Sequence, residues 1–201
     1  MCEIFIKSLY ILREGTTSIF MTYVKIENIV AYAQIADGFE IDDLAEMIPD
    51  FEYKPEEFKG LTLKLDYPKA AILIHSNGKV FCTGAKSIED VESSIDRAID
   101  KMKAVKISVK SKPKIEIQNI IASTNIEKEL HLSSISKGLI MEHVDYKPEE
   151  FPGLLYKIDY LGAIVIVFSS GRIVCTGTKT IDDASKAIEL VKEKLSSIGA
   201  L

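Results

Sequence analysis

"YKPEEFKGLTLKLDY" runs from Tyr53 to Tyr67, and "YKPEEFPGLLYKIDY" runs from Tyr146 to Tyr160. The two stretches lie 93 positions apart in a chain of 201 residues. Extended to Tyr53–Lys86 against Tyr146–Lys179, the match gives 18 identities in 34 positions without a gap. Upstream it continues at a shift of 91, pairing "VKIENIVAYAQI" with "IEIQNIIASTNI"; downstream "KSIEDVESSI" meets "KTIDDASKAI". Two copies make a duplication rather than a solenoid, which needs several stacked units.

The organisation follows from the copies. Residues 22–109 form the first repeat and 114–201 the second. They are joined by 110–113, where Pro113 in "VKSKPK" interrupts regular structure. Residues 1–21 precede both repeats. Their apolar run is broken by Lys7, is too short to span a bilayer and lacks an A-x-A-like cleavage site. The natural start is expected at Met21, with residues 1–20 an extension.

Each copy has the same expected elements. A strand over Val24–Ile35, or Ile115–Ile126, precedes a short helix near Ile41–Met47, or Leu132–Lys137. Three strands follow, "LTLKLDY", "AAILIHS" and "KVFCTG" in the first copy. Asn77-Gly78 and Ser170-Gly171 supply the hairpin turns, being tolerant of positive φ. A long amphipathic helix closes each unit. Its stripe is Ile88, Val91, Ile95, Ile99 and Met102 behind a Ser87 cap, or Ile181, Ala184, Ile188, Val191 and Leu195 behind Thr180. "VKISV", from Val105, reads as one further strand.

Bulk chemistry narrows the function classes. Hydrophobic residues are 47% and charged residues 27%, an ordinary globular balance. A net charge of −5 does not by itself suggest a nucleic-acid binder. Three cysteines, without a CxxC pair or a His/Cys cluster, suggest neither a disulfide framework nor a metal site. Cys82 and Cys175 hold matching places and read as small buried hydrophobes, reduced as in a cytoplasmic protein.

The strands set a problem. Antiparallel strands joined by hairpins usually alternate apolar and polar residues, yet "AAILI" and "AIVIVF" are apolar on both faces. Two helices per unit cover one side of a sheet. The other side is then either an exposed apolar binding surface or the inside of a sandwich. The residues alone leave these two readings even.

The duplicated combination "NIVA…YKPEEF.GL…SNGK…CTGAK" resembles the TATA-box-binding protein family of archaeal and eukaryotic transcription, over about residues 22–200. The resemblance implies an α+β fold: two pseudo-symmetric repeats sharing one curved antiparallel sheet, a saddle with helices on the convex face. Its apolar concave face would straddle the minor groove, which favours the uncovered-face reading. The groove shows mainly acceptors at A·T pairs and an added amino donor at G·C. An apolar floor therefore accepts A·T and is penalised by guanine, and flexible TA steps ease deformation.

The same resemblance implies residue roles. Phe58, Phe151 and Phe168 match wedges that kink DNA, the fourth wedge position being His75. Asn28, Asn119, Thr83 and Thr176 match polar contacts to bases near the dyad. Val30, Ile121, Leu73, Ile166, Phe81 and Val174 match the apolar floor, with Cys82 turned to the helices. Lys64, Lys79, Lys86, Lys157, Arg172 and Lys179 match phosphate contacts, so cation placement outweighs net charge. Glu149 and Glu150 match the loop that engages transcription factor B, although Lys147 departs from an acidic residue in some relatives. RNA polymerase would be recruited indirectly, and a homodimer could form without DNA.

No cofactor or membrane is implied, and the location would be cytoplasmic, with the nucleoid. An enzyme is the alternative class, but the repeats duplicate no acid pair, Cys/His dyad or phosphate-cradling loop. Asp66 and Asp159 recur beside Tyr67 and Tyr160 as turn residues. A helix-backed sheet holding a small apolar ligand is the other alternative.

Overall fold

Val24 opens the first of two eleven-residue strands; buried and half-exposed positions largely alternate along it, whereas the second strand is half-exposed over its first five residues. β2 spans Val24–Gln34 and β7 spans Ile115–Asn125 in a computed structural model that describes residues 5–6, 23–140 and 142–201. β1, Phe5–Ile6, pairs antiparallel with the start of β2. The expected start at Met21 lies outside the described residues. The chain divides into two compact units, Glu27–Gln118, and Asn119–Leu201 with the residues up to Ile26.

In the first unit β2 is followed by α1 (Ile41–Met47), β3 (Glu52–Tyr53), β4 (Gly60–Leu65), β5 (Ala70–His75), β6 (Lys79–Ala85) and α2 (Ile88–Ala104). Its antiparallel strands lie in the order β3-β4-β5-β6-β2. The second unit repeats this with β7, α3 (Leu132–Gly138), β8 (Val144–Asp145), β9 (Gly153–Ile158), β10 (Ala163–Phe168), β11 (Arg172–Thr178) and α4 (Ile181–Ser197). Its order is β8-β9-β10-β11-β7, again antiparallel. The fold class is α+β.

One face of each sheet is covered by the long helix. α2 lies on β5 and β6, and α4 on β10 and β11. Val91, Ile95, Ala98, Ile99 and Met102 are buried with Ile72, Ile74, Val80 and Cys82 beneath them. Ala184, Ile188, Val191 and Leu195 do the same with Val165, Val167, Ile173 and Cys175. Each large side chain so buried contributes roughly 1.5–3 kcal/mol. Ile88 and Ile181, expected in the stripes, are only half-buried because they sit in the first helical turn.

Both helices start as expected. Ser87 Oγ accepts from Asp90 N–H at 3.0 Å, and Thr180 Oγ1 accepts from Asp183 N–H at 3.0 Å. Such caps contribute about 1 kcal/mol each. The two helices also end alike. Lys106 N–H donates to the Lys103 carbonyl and Ile107 N–H to Met102; in α4, Gly199 reaches Ser196 and Ala200 reaches Leu195. This paired pattern is a Schellman motif, with its reversing residue in the left-handed region. That residue is Lys106 at φ 64° in one copy and Gly199 at φ 71° in the other.

Two local expectations are corrected. "VKISV" is not a strand: Val105 and Lys106 complete the helix stop, and the following segment is tied to the residue just after β2 by Lys110 N–H on the Ile35 carbonyl at 2.7 Å, without a ladder. The hairpins also turn differently. Gly78 and Gly171 alone adopt positive φ, 77° and 85°, while Asn77 and Ser170 do not. Gly78 N–H closes on the His75 carbonyl and Gly171 N–H on Phe168, each at 3.0 Å. The turn begins one residue earlier, and its glycine supplies the single left-handed position. β3 and β8, two residues each, were not anticipated, because they are pairing extensions of β4 and β9 rather than apolar runs.

Candidate nucleic-acid interface

The face of each sheet away from its helix is apolar and only half-covered. Along β5, Ala70, Ile72 and Ile74 are buried while Ala71, Leu73 and His75 are half-exposed; β10 repeats the alternation, ending in Phe168. Cross-strand register assembles one row in each unit. In the first it runs Thr62, Leu73, Phe81, Tyr32, and in the second Leu155, Ile166, Val174, Ser123. Val30 and Ile121 alternate onto the same face.

A bulge in the strand carrying each CTG segment aims the polar groups. Thr83-Gly84 opposes a single residue of β2, and Thr176-Gly177 a single residue of β7. Gly84 and Gly177 take φ 92° and 95°, a region open to glycine. Their N–H groups turn toward the matching asparagines. Asn28 Oδ1 accepts from Gly84 N–H at 2.6 Å, and Asn119 Oδ1 from Gly177 N–H at 2.7 Å. Asn28 Nδ2 donates to Thr83 Oγ1 at 3.3 Å, and Asn119 Nδ2 to Thr176 Oγ1 at 3.1 Å. The local bond to the backbone therefore orients each amide, and one of its two N–H donors remains for a ligand on the open face.

Aromatic side chains stand at the far end of each face. Gly60 pairs with His75 and Gly153 with Phe168, so neither residue has a side chain opposite it. A Cβ at Gly60 would collide with the Ile74 carbonyl and the Phe58 ring; one at Gly153 would meet Ile166 and Phe151 at 2.7 Å. Phe151 and Phe168 lie 6.0 Å apart, tilted by 62°. In the first unit His75 stands edge-on to Phe58 at 4.9 Å and to Phe81 at 5.2 Å. Phe81 in turn lies 5.8 Å from Tyr32.

Tyr32 was missed in the sequence. The β alternation continues to it two residues after Val30, but Ser123 in the matching place hides it from a comparison of copies. Its hydroxyl donates to Glu116 at 3.0 Å, which raises the phenol pKa, and Lys79 lies over its ring at 5.5 Å.

Cations border these faces. Lys64 and Lys157 fall on the open side by alternation, paired with Ala71 and Ile164. Lys79 and Arg172 begin β6 and β11 on the side of Phe81 and Val174. Lys86 and Lys179 are exposed just before the caps of α2 and α4. Lys64 is held by Glu52 at 2.8 Å, which raises the lysine pKa and lowers that of the carboxylate. Lys157, with Asp145 where Glu52 stands, makes no such pair among the described residues.

The "YKPEEF" loops are built alike. Phe58 N–H bonds the Lys54 carbonyl and Phe151 N–H the Lys147 carbonyl, each at 2.9 Å. Lys54–Glu57 and Lys147–Glu150 are ion pairs of 3.5 Å, and Glu149 is exposed. Cys82 and Cys175 face the helices, where burial pushes their thiols up to about 11 and about 12.

The family described as "Transcription factor TFIID (or TATA-binding protein, TBP)" matches this chain twice, at residues 23–105 and 114–198. The chain belongs to the TATA-binding protein family. A TATA-box-binding protein of Archaeoglobus fulgidus is 42% identical over 178 residues, 89% of this chain and 97% of the relative. One of Thermoplasma acidophilum is 43% identical over the same shares. The solved structure "Methanococcus jannaschii TBP" matches with a TM-score of 0.78 and 38% identity, over 87% of this chain and 98% of its own. The family is one of transcription factors, not enzymes. No described helix is long and apolar enough to cross a membrane.

Proposed function

We propose that this protein is a general transcription initiation factor that binds the minor groove of A·T-rich promoter DNA. The reading rests on one observation above all: each unit leaves an apolar sheet face half-open beside an asparagine whose amide a bulged glycine orients. Such a floor can bury sugar and base edges. It offers nothing to a guanine amino group, so A·T pairs are selected by exclusion. Phe58, Phe151, Phe168 and His75 enter base steps and deform the duplex. Asn28, Asn119, Thr83 and Thr176 contact bases, and the three pairs of cations hold phosphates.

Residues 22–109 and 114–201 act as the two DNA-binding repeats, with 110–113 as linker and 1–21 as an extension. Transcription factor B binds the exposed Glu149 and Glu150 and brings RNA polymerase. The protein works at the nucleoid, and its apolar faces support a homodimer when DNA is absent. A gel-shift series tests the reading: a TATA duplex binds, and a version with G·C at its centre loses most affinity. Equal binding to both overturns it. Charge reversal at Glu149 weakens the ternary complex while binary DNA binding persists; equal loss in both assays removes the partner assignment.

A further inference from the structure

The open faces of the two units end in different hydrogen-bonding chemistry. Phe168 presents only a ring. His75, in the matching place, is half-exposed between the edges of Phe58 and Phe81, and its ring nitrogens bond no other group among the described residues. Gly60 beneath it adds no side chain. A neutral imidazole carries one donor and one acceptor. The donor suits the N3 and O2 acceptors that every minor-groove pair presents. The acceptor has a use only at a G·C pair, where the guanine amino group supplies a donor. Phenylalanine can answer neither.

Resting on the minor-groove reading above, we infer that His75 makes its half of the protein permissive for a G·C pair at the outer base step, and that such a pair orients the protein on an otherwise A·T box. The half bearing His75 goes to the G·C end, and the Phe168 half goes to the A·T end. A pseudo-symmetric protein on an A·T box binds both ways round, and one guanine amino group breaks the tie.

Inosine·C pairs isolate that amino group, since inosine differs from guanine only by its absence. Wild-type protein is titrated with three kinds of duplex: all-A·T, one end substituted and both ends substituted, with G·C or I·C in each case. One G·C end costs less than about threefold against I·C, while two cost roughly tenfold or more, because Phe168 must then meet a guanine. Orientation is read with a cleavage reagent on Glu149→Cys, with Cys2→Ser; the fully buried Cys82 and Cys175 escape labelling. Cutting falls only at the end opposite a single G·C, and at both ends on the I·C duplex.

His75→Phe raises the cost of one G·C end to roughly tenfold and restores cutting at both ends. Phe168→His relieves the doubly substituted duplex. A full penalty for one G·C end in the wild type, or cutting at both ends of that duplex, overturns the inference while the all-A·T duplex still binds. Failure to bind the all-A·T duplex overturns the proposed function and this inference together.

Discussion

The covered face of the first unit and that of the second are nearly interchangeable, whereas their open faces are not. Under the helices Cys82 answers Cys175, Ile74 answers Val167 and Ile95 answers Ile188, all fully buried. On the open side the row Thr62, Leu73, Phe81, Tyr32 stands against Leu155, Ile166, Val174 and a buried Ser123. Bulk grows toward β2 in one unit and shrinks toward β7 in the other. Close packing between helix and sheet tolerates little change of volume. On a face that the described residues leave half-exposed, packing sets no such restraint, so its apolar residues differ between the copies while Asn28 and Asn119, and Thr83 and Thr176, stay alike.

The largest effect expected from this contrast lies in the core. Ile95→Ala and Ile188→Ala each lower stability by roughly 2–5 kcal/mol, measured by urea denaturation. Costs that differ widely between the two would end the claim that the covered faces are alike. Next come the oriented amides. Asn28→Ala and Asn119→Ala each weaken binding to a TATA duplex by roughly tenfold, as a lost base contact does, while the melting temperature moves little. A large thermal loss instead would make the asparagines structural.

The helix stops should respond in opposite directions. Lys106→Gly stabilises by about 1 kcal/mol because it removes a side chain from the left-handed region, and Gly199→Lys destabilises by about as much. Thermal unfolding of the pair of variants checks the signs; like signs would break the equivalence of the two stops. The smallest effect concerns Lys64. Lys157→Ala lowers the salt dependence of DNA binding by about one phosphate contact, and Lys64→Ala by less, because Glu52 already holds that ammonium. Glu52→Gln, measured by the same salt titration, raises affinity about twofold and brings the two lysines level.

Much of the fold was legible because its signals are local. The N-caps Ser87 and Thr180, the helix at Ile41–Met47 and the alternation that turns Cys82 inward each depend on residues within one or two turns of chain. The failures also have local causes. In "VKISV", β propensity was outweighed by a Schellman stop at Lys106, a residue type that does not announce a left-handed position. In the hairpins one αL residue suffices, so glycine's freedom is not needed at Asn77 or Ser170. Tyr32 is hidden because its copy carries Ser123, although the alternation of β2 itself leads to it two residues after Val30.

Among the site residues, the sequence by itself determined that two matched sets of apolar, amide, hydroxyl and basic side chains exist, because duplication marks them without any knowledge of space. It also determined that His75 stands where its copy has Phe168. Tertiary structure alone decided that the second face of each sheet is left half-exposed by the described residues, since exposure depends on which helix covers which strand. It alone decided what the asparagines do before any ligand arrives. Their carbonyls hold the N–H of a glycine displaced by a bulge, and bulges arise from strand register, a property of pairs of strands that no single stretch of sequence contains.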